Sequence, residues 1–395
     1  MQKMPSFFAV SDGEQLERLN SRLAYAARSR YYSRTLESKT RLNSLAEIET
    51  LPFLTQDDLL RHGREMLCVR QDEVRRIVSL STSGTTGKYK RLYFSESDLQ
   101  QTENFFAEGM QGICRAGERV AVLFPCASPD GLGELLSRGL MQFGAKPLAC
   151  VDGAEDYGAL CETLLRAEPD VLVGMPRVVR TLAVLCPTLR PRAVLLSADY
   201  VSDALRRFLA ETWNCAVFAH YGMTETGYGG AVENAEHAGM LPRRDALLFE
   251  IVDASGKALP DGETGEIVLT TLSREAMPLI RYRTGDLGVM RGGKLIRAAG
   301  RIADRVTPAL GELLDEEADI LDYALTLDRS AGRGILSLLC IGAYSLPEEK
   351  AAALHALLPE IKIEADVQTA YDPARLKITQ EKRRTRVNGQ CAKED

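Results

Sequence analysis

The sequence predicts an α/β protein with a mainly parallel sheet, a β-rich segment after it and a small α+β domain at the end of the chain. Three observations support this fold class. Short apolar runs alternate with helical patterns in the middle of the chain, and the pattern turns β-rich after residue 228. The last part of the chain shows a separate pattern of a strand, a helix and another strand. We therefore predict a large domain at 1–299 and a small domain at 300–395.

The first part of the chain, residues 1–70, is predicted to be largely helical. Apolar residues recur at roughly helical spacing in residues 13–33. Thr55 stands where a helix N-cap is expected, directly before the sequence QDDLL.

Five short apolar runs predict the strands of the parallel sheet. Helical patterns separate these runs, which is typical of a sheet covered on both faces. The predicted strands are 119–124, 145–150, 170–175, 193–198 and 215–220.

The remainder of the chain predicts two smaller groups of elements. Residues 247–272 contain two apolar stretches joined by polar turn residues, which favours a pair of strands. In the last domain we expect strands at 335–344 and 361–371, with a helix between them that opens at Pro347.

Composition excludes several functional classes. The chain of 395 residues has 49 basic and 55 acidic residues, a net charge of -6, and lacks the clustered basic face that nucleic acid requires. Its nine cysteines include no CxxC pair, so a zinc ribbon is not expected and the thiols are predicted to be reduced. We see no apolar run long enough to span a membrane and expect a cytoplasmic protein.

A hydroxyl- and glycine-rich stretch, STSGTTGKYK, begins within the last residues of the predicted strand RRIVSLST and continues beyond it. Successive N–H groups in such a turn form an anion-binding nest, and the hydroxyls and a lysine add donors that suit a triphosphate. The spacing is too short for a Walker A loop, and a plain surface turn is the alternative. The candidate phosphate ligands are Thr82, Ser83, Gly84, Thr85, Thr86, Gly87 and Lys88.

Three further segments favour the interpretation of that stretch as a phosphate-binding loop over a plain surface turn. HYGMTETG (220–227), LIRYRTGDLG (279–288) and AAGRIADRV (298–306) follow it in this order. Together the four segments resemble the adenylate-forming (AMP-binding) superfamily, and most of all its phenylacetate–CoA ligase-like branch. The resemblance covers about residues 51–388. It implies a large N-terminal adenylate-forming domain and a small mobile C-terminal domain that rotates between two half-reactions.

The resemblance implies roles for individual residues at the nucleotide. The loop at 82–88 would hold the β- and γ-phosphates of ATP. The segment that lines the adenine matches Ser197, Ala198 and Asp199. Gly222 and Met223 are further candidate cofactor-binding residues, and the pocket for the acid is expected around them and residues 124–134. Tyr221 would stack on the adenine, Asp286 would bind the ribose hydroxyls, and Arg301 would contact the ribose and phosphate.

Catalytic roles follow from the same resemblance. Thr224 matches the residue that binds the α-phosphate, and Glu225 matches the Mg²⁺ ligand. A lysine near the C-terminus would bridge the acid and the α-phosphate; Lys382 is the candidate and Lys377 the alternative. The chain departs from the family pattern at Glu381, where glycine is usual, and at the hinge position Ala303.

The implied reaction is the ATP-dependent activation of a small carboxylic acid to acyl-AMP, with pyrophosphate release and transfer to a thiol. The cofactors would be ATP, Mg²⁺ and coenzyme A (CoA), and a homodimer is a further candidate assembly. One alternative is an acyl-protein synthetase that uses Cys391 as an acyl carrier. Another is a nucleotide-binding sensor that has lost catalysis. A structural metal at His237 stays open, although a surface histidine is the simpler interpretation.

Overall fold

The structure is a computed structural model that describes residues 8–81, 89–304, 306–370, 372–378 and 385–387. The chain forms two compact units, and each unit consists of two stretches of sequence. The first unit contains Met1–Ile113 and His220–Ile302, and the second contains Cys114–Ala219 and Ala303–Asp395. The chain therefore passes from the first unit to the second after Ile113, returns to the first at His220, and enters the second again after Ile302.

Helices of the first unit begin at hydroxyl caps. They are α1 (Asp12–Ala26), α2 (Arg30–Thr35), α3 (Gln56–His62) and α4 (Glu96–Gln111), with short 3-10 helices at Leu45–Thr50, Gly63–Met66, Gln71–Glu73 and Thr224–Thr226. At α3, the Thr55 hydroxyl accepts from the N–H of Asp58, whose carboxylate accepts in return from the N–H of Thr55. This capping box satisfies N–H groups that a helix start leaves unpaired, and it confirms the predicted N-cap.

A two-stranded hairpin follows in the first unit. Its strands are β1 (Arg76–Ser81) and β2 (Tyr89–Phe94), which pair antiparallel. In β2 the inward face is apolar at Leu92 and Phe94, which are fully buried.

The second unit contains a parallel sheet with strand order β7–β6–β5–β3–β4. The strands are β3 (Arg119–Val122), β4 (Lys146–Leu148), β5 (Val171–Gly174), β6 (Ala193–Leu196) and β7 (Ala216–Tyr221). The helices are α5 (Leu132–Gln142), α6 (Tyr157–Ala167), α7 (Pro176–Leu185) and α8 (Asp203–Trp213). All residues of β5 and β6 are buried, as expected for strands covered on both faces. The five predicted strands are confirmed.

The first unit also contains an antiparallel sheet, which begins at the last two residues of β7. Its other strands are β8 (Ala231–Glu233), β9 (Met240–Pro242), β10 (Leu247–Val252), β11 (Thr264–Thr271), β12 (Tyr282–Arg291) and β13 (Lys294–Arg301). The order is β10–β11–β12–β13–β9–β8–β7. β10 and β11 are the two strands predicted within 247–272, and they pair antiparallel.

A smaller sheet in the second unit has the order β16–β15–β14–β17. Its elements are α9 (Val306–Leu314), β14 (Ile320–Asp328), β15 (Arg333–Cys340), α10 (Glu348–Leu357), β16 (Lys362–Thr369) and β17 (Arg386–Val387). Leu314, Leu325 and Leu336 are among the buried residues of its core. The predicted strand–helix–strand pattern is confirmed, and with it the α/β fold class. None of the helices in the described ranges has both the length and the apolar character needed to cross a bilayer.

Candidate active site

The predicted phosphate-binding loop connects the strands of the β1–β2 hairpin. The strand register ends with Ser81 opposite Tyr89, so antiparallel pairing brings the two ends of the loop side by side. The loop residues themselves, Thr82, Ser83, Gly84, Thr85, Thr86, Gly87 and Lys88, lie outside the described residues. The structure therefore describes the two paired strands that flank this loop.

A buried lysine lies at the start of the strand that follows the loop. Lys90 is the second residue of β2 and lies opposite Leu80 in the register. Because side chains alternate along a strand, Lys90 shares the inward face with Leu92 and Phe94. Its ammonium group forms an ion pair with Glu225 and lies 3.4 Å from the hydroxyl of Tyr282.

Glu225 is the acid at the centre of this cluster. It belongs to the 3-10 turn Thr224–Thr226, and its side chain is only 2% exposed, against 10% for Lys90. Tyr282 donates to the same Oε1 atom that Lys90 contacts, at 3.1 Å. Burial and the Glu225 carboxylate raise the pKa of Tyr282, so its hydroxyl stays protonated and donates. Both contacts are made with the same oxygen, Oε1, of the carboxylate.

Asp286 is the centre of a second cluster. Tyr221 at the end of β7 donates to Asp286 Oδ2 at 2.9 Å, and Arg301 Nε lies 2.9 Å from Oδ1. Arg301 is opposite Asp286 in the β12–β13 register, and it also donates to the carbonyl of Thr284 at 2.8 Å. Burial and the nearby carboxylate raise the pKa of Tyr221 well above its usual value. The structure thus brings together three of the residues predicted at the nucleotide.

The turn after β7 is closely packed. Gly222 has no room for a side chain, because a Cβ atom there would lie 2.3 Å from the carbonyl oxygen of Tyr228 and 2.5 Å from the His220 ring. Met223 accepts from the N–H groups of Thr226 and Tyr228. These contacts fix the backbone that presents Thr224, whose side chain is partly exposed, and Glu225.

The predicted adenine segment belongs to the second unit, directly after β6. Ser197 donates its N–H to the carbonyl of Gly174 at 3.1 Å, and Asp199 accepts from the N–H of Tyr200 at 2.9 Å. Ala198 has a φ of 71°, a left-handed conformation that is unusual for a residue other than glycine. Parallel sheets bind ligands at this carboxyl end of their strands.

The predicted catalytic lysine, Lys382, lies outside the described residues, as does Cys391. The alternative, Lys377, is exposed and donates to the carbonyl of Glu155 at 3.1 Å within the second unit. The neighbouring carbonyl of Leu376 accepts from the N–H of Tyr157. Lys377 therefore helps to hold its segment against the start of α6.

The described residues contain no group of three or more histidine, cysteine or acidic side chains that could hold a metal ion. Glu225 can contribute a single carboxylate, so a hard cation such as Mg²⁺ fits only if phosphate oxygens complete its ligand set. His237 lies 4.0 Å from Glu233 and is partly exposed, which suits a surface histidine.

Two residues of the site were absent from the sequence-based predictions. Lys90 is one of them, since it forms an ion pair with Glu225. Lys88, the predicted phosphate ligand, lies outside the described residues and stays a prediction. The alternation in YKRLYF, with lysine in phase with the apolar positions, was a usable signal for a buried ammonium group. Tyr282 lies in the motif that supplied Asp286, but only the β12 register reveals that it faces Glu225.

Residues 45–273 match the AMP-binding enzyme family. The chain is 31% identical over 315 residues to phenylacetate–coenzyme A ligase from Pseudomonas putida, which covers 74% of this chain and 70% of that protein. Its fold is similar to 2-hydroxyisobutyryl-CoA ligase in the postadenylation state in complex with 2-HIB-AMP, with a TM-score of 0.76, 18% identity, and 95% and 89% of the two chains covered. The same ligase with 2-HIB-AMP and CoA in the thioesterification state gives a TM-score of 0.66 at 20% identity, with the same coverage.

Proposed function

Because the chain belongs to the AMP-binding enzyme family, we propose that it is an AMP-forming acid–thiol ligase with CoA as the acceptor. A carboxylate oxygen of the acid attacks the α-phosphorus of ATP, the bond to pyrophosphate breaks, and acyl-AMP forms. The thiolate of CoA then attacks the acyl carbon, and AMP leaves with the electron pair of the broken C–O bond. The observation that carries this proposal is the Asp286 cluster of Tyr221 and Arg301, in the same unit as Glu225.

At the nucleoside, Asp286 accepts hydrogen bonds from the ribose hydroxyls. Arg301 favours the charged carboxylate that this task needs, since an opposite charge at 2.9 Å stabilises the anion. Tyr221 offers its ring to the adenine, and its hydroxyl gives up or shares Asp286 Oδ2 when the ribose arrives. Ser197, Ala198 and Asp199 line the base.

At the phosphates, Thr224 binds the α-phosphate and the loop at 82–88 holds the β- and γ-phosphates. Lys90 and Tyr282 hold one oxygen of Glu225, so that the other can face a phosphate-bound cation. Mg²⁺, when bound, neutralises charge on the phosphates as pyrophosphate leaves. The chain supplies alignment and fixed charge, which are the principal means of lowering the barrier to phosphoryl chemistry.

Lys382 bridges the acid and the α-phosphate in the first half-reaction, and residues 300–395 act as a small domain that moves before the second. The occurrence of a ligase of similar fold in both a postadenylation and a thioesterification state supports this division. Lys382→Ala is expected to abolish acid-dependent pyrophosphate release while leaving the reaction of synthetic acyl-AMP with CoA largely intact. Equal loss of both steps would contradict the assigned role.

For the acid we propose an aryl or medium-length acyl group, on the strength of the similarity to phenylacetate–coenzyme A ligase. We place the reaction in the cytoplasm, where ATP and CoA are available. The homodimer stays a prediction, which native mass spectrometry would check.

The deciding experiment is a panel of carboxylic acids scored for pyrophosphate release, with and without CoA. We expect acyl-CoA and AMP to form with at least one aryl acid. Acylation of Cys391 without CoA, seen as an increase in intact mass, would instead favour the acyl-protein synthetase. Binding of ATP with no acid-dependent pyrophosphate release across the panel would favour the nucleotide-binding sensor.

A further inference from the structure

Within the second unit, a buried arginine of helix α7 binds the segment that follows helix α9. Arg180 of α7 is fully buried. Its guanidinium group donates to backbone carbonyl groups at and beyond the end of α9. The acceptors are the carbonyls of Leu314, Asp315, Glu317, Ile320 and Leu321, at 3.3, 2.9, 2.7, 2.5 and 3.5 Å. Arg180 thus binds carbonyl groups along the segment that leads from the end of α9 into β14.

The Asp315 side chain extends this contact to the loop before α8. Asp315 Oδ2 accepts from the hydroxyl of Ser202 at 2.7 Å, and Oδ1 accepts from Tyr323 at 2.9 Å. Gly311 allows the close approach, because a Cβ atom there would lie 3.1 Å from Asp315 Oδ2 and 3.4 Å from the Cβ of Ser202.

Glu312, the residue after Gly311 in α9, binds the same loop. It accepts from the hydroxyl of Tyr200 at 2.8 Å and from the N–H groups of Asp203 and Ala204 at 3.1 and 3.2 Å. A carboxylate is well placed there, because the first N–H groups of α8 have no partner within the helix. Arg180, Tyr200, Ser202, Glu312 and Asp315 together form what we term the α9 anchor.

The α9 anchor holds the loop that begins with the predicted adenine segment. Ser197 is tied to Gly174 of β5 on one side, and Tyr200 to Glu312 on the other. Between them Ala198 keeps its left-handed φ of 71°, a conformation that costs free energy and persists only where surrounding contacts hold it. The loop is therefore held at both ends across a strained residue.

We propose that the α9 anchor couples nucleotide binding at Ser197–Asp199 to the docking of the C-terminal sheet against α7 and α8. The inference rests on the proposed function for the placement of the nucleotide. A nucleotide that orders the loop favours the geometry in which Tyr200 and Ser202 meet Glu312 and Asp315. By linkage, a docked α9 favours nucleotide binding by the same factor. Glu312 and Tyr200 act as positioning residues, because neither is assigned a contact with substrate.

Hydrogen–deuterium exchange of the full chain, with and without saturating AMP, tests the coupling. In the wild type we expect AMP to slow exchange across residues 306–322 by about fivefold, at the lower end of typical coupling between sites. In the double variant Tyr200→Phe/Glu312→Gln this protection is expected to fall below about twofold, and AMP affinity to fall by a similar factor. Arg207→Gln is the matched control, because it removes an exposed ion pair between α8 and Glu316, two residues beyond the end of α9, and should leave both values unchanged.

Equal AMP protection of 306–322 in the double variant and the wild type would overturn the proposal. So would unchanged exchange in the wild type under conditions where calorimetry shows that AMP is bound, and this comparison decides the question even if the variant fails to fold. The proposed function is judged separately, by acid-dependent pyrophosphate release. An enzyme that releases pyrophosphate but shows no protection keeps the function and loses the coupling, and a chain that binds AMP with protection but releases none does the reverse.

Discussion

Replacing Lys90 by methionine is the most direct test of the Glu225 cluster. Methionine keeps the length and most of the volume of the lysine stem but removes the ammonium group. Glu225 would then retain its hydrogen bond from Tyr282 and lose its ion pair, at a position where its side chain is 2% exposed. Removing one partner of a buried ion pair costs about 3–5 kcal/mol, because the remaining charge stays buried without that partner.

We expect Lys90→Met to lower the free energy of unfolding by about 3 kcal/mol, the lower end of that range, since the Tyr282 hydrogen bond remains. With a urea slope of about 3 kcal/mol/M, the midpoint would fall by about 1 M. Far-UV circular dichroism follows both units, whereas the fluorescence of Trp213, the sole tryptophan, follows the second. The circular dichroism transition is therefore the relevant measurement for a change in the first unit.

Two comparisons make the result decisive. Lys294→Met removes a lysine from an ion pair with Glu236 that is 27% and 66% exposed, and it should cost less than about 1 kcal/mol. The double variant Lys90→Met/Glu225→Gln should be more stable than Lys90→Met alone, because it removes both charges. The reasoning is refuted if Lys90→Met costs no more than Lys294→Met, or if the double variant loses the sum of the two single changes.

Three further predictions concern other parts of the first unit. Asp286→Ala should weaken ATP binding at least about tenfold in calorimetry, since it removes the acceptor for the ribose hydroxyls; unchanged affinity would remove Asp286 from the site. Burial lowers the pKa of His220 to about 4, so only the unfolded chain takes up a proton between that value and about 6.5. Stability should therefore fall by about 3 kcal/mol as the pH drops through this window, and urea midpoints of His220→Gln should show less of this loss. Gly222→Ala would place a methyl group 2.3 Å from the carbonyl oxygen of Tyr228, so it should destabilise the protein by about 2 kcal/mol or more in thermal melts. The control Gly13→Ala adds a methyl group with nothing within 4 Å, so it should be neutral or slightly stabilising.

Local patterns were sufficient for most elements of the fold. The apolar runs at 170–175 and 193–198 contain β5 and β6, and Thr55 caps α3. These features depend on neighbouring residues only, because strand burial, helix periodicity and capping are properties of short segments. The fold class followed from the order of such segments along the chain.

The site was predictable only in part. The motif around Tyr221 and the acid Asp286 could be picked out, and the structure places the two side chains in contact. The partners of Glu225 could not, since Lys90 and Tyr282 are separated from it by 135 and 57 residues. Such pairs are decided by strand register and by which faces are buried, and a shift of one residue would turn either side chain away.

The sequence by itself determined which segments become strands and helices, where the hydroxyl-rich loop lies, and which acids could serve a nucleotide. The tertiary structure decided which buried charges meet: Lys90 with Glu225, Arg301 with Asp286, and Arg180 with the carbonyl groups that follow α9. The physical reason is that a charge can be buried only where distant parts of the chain converge to pair it, and no short segment carries that information.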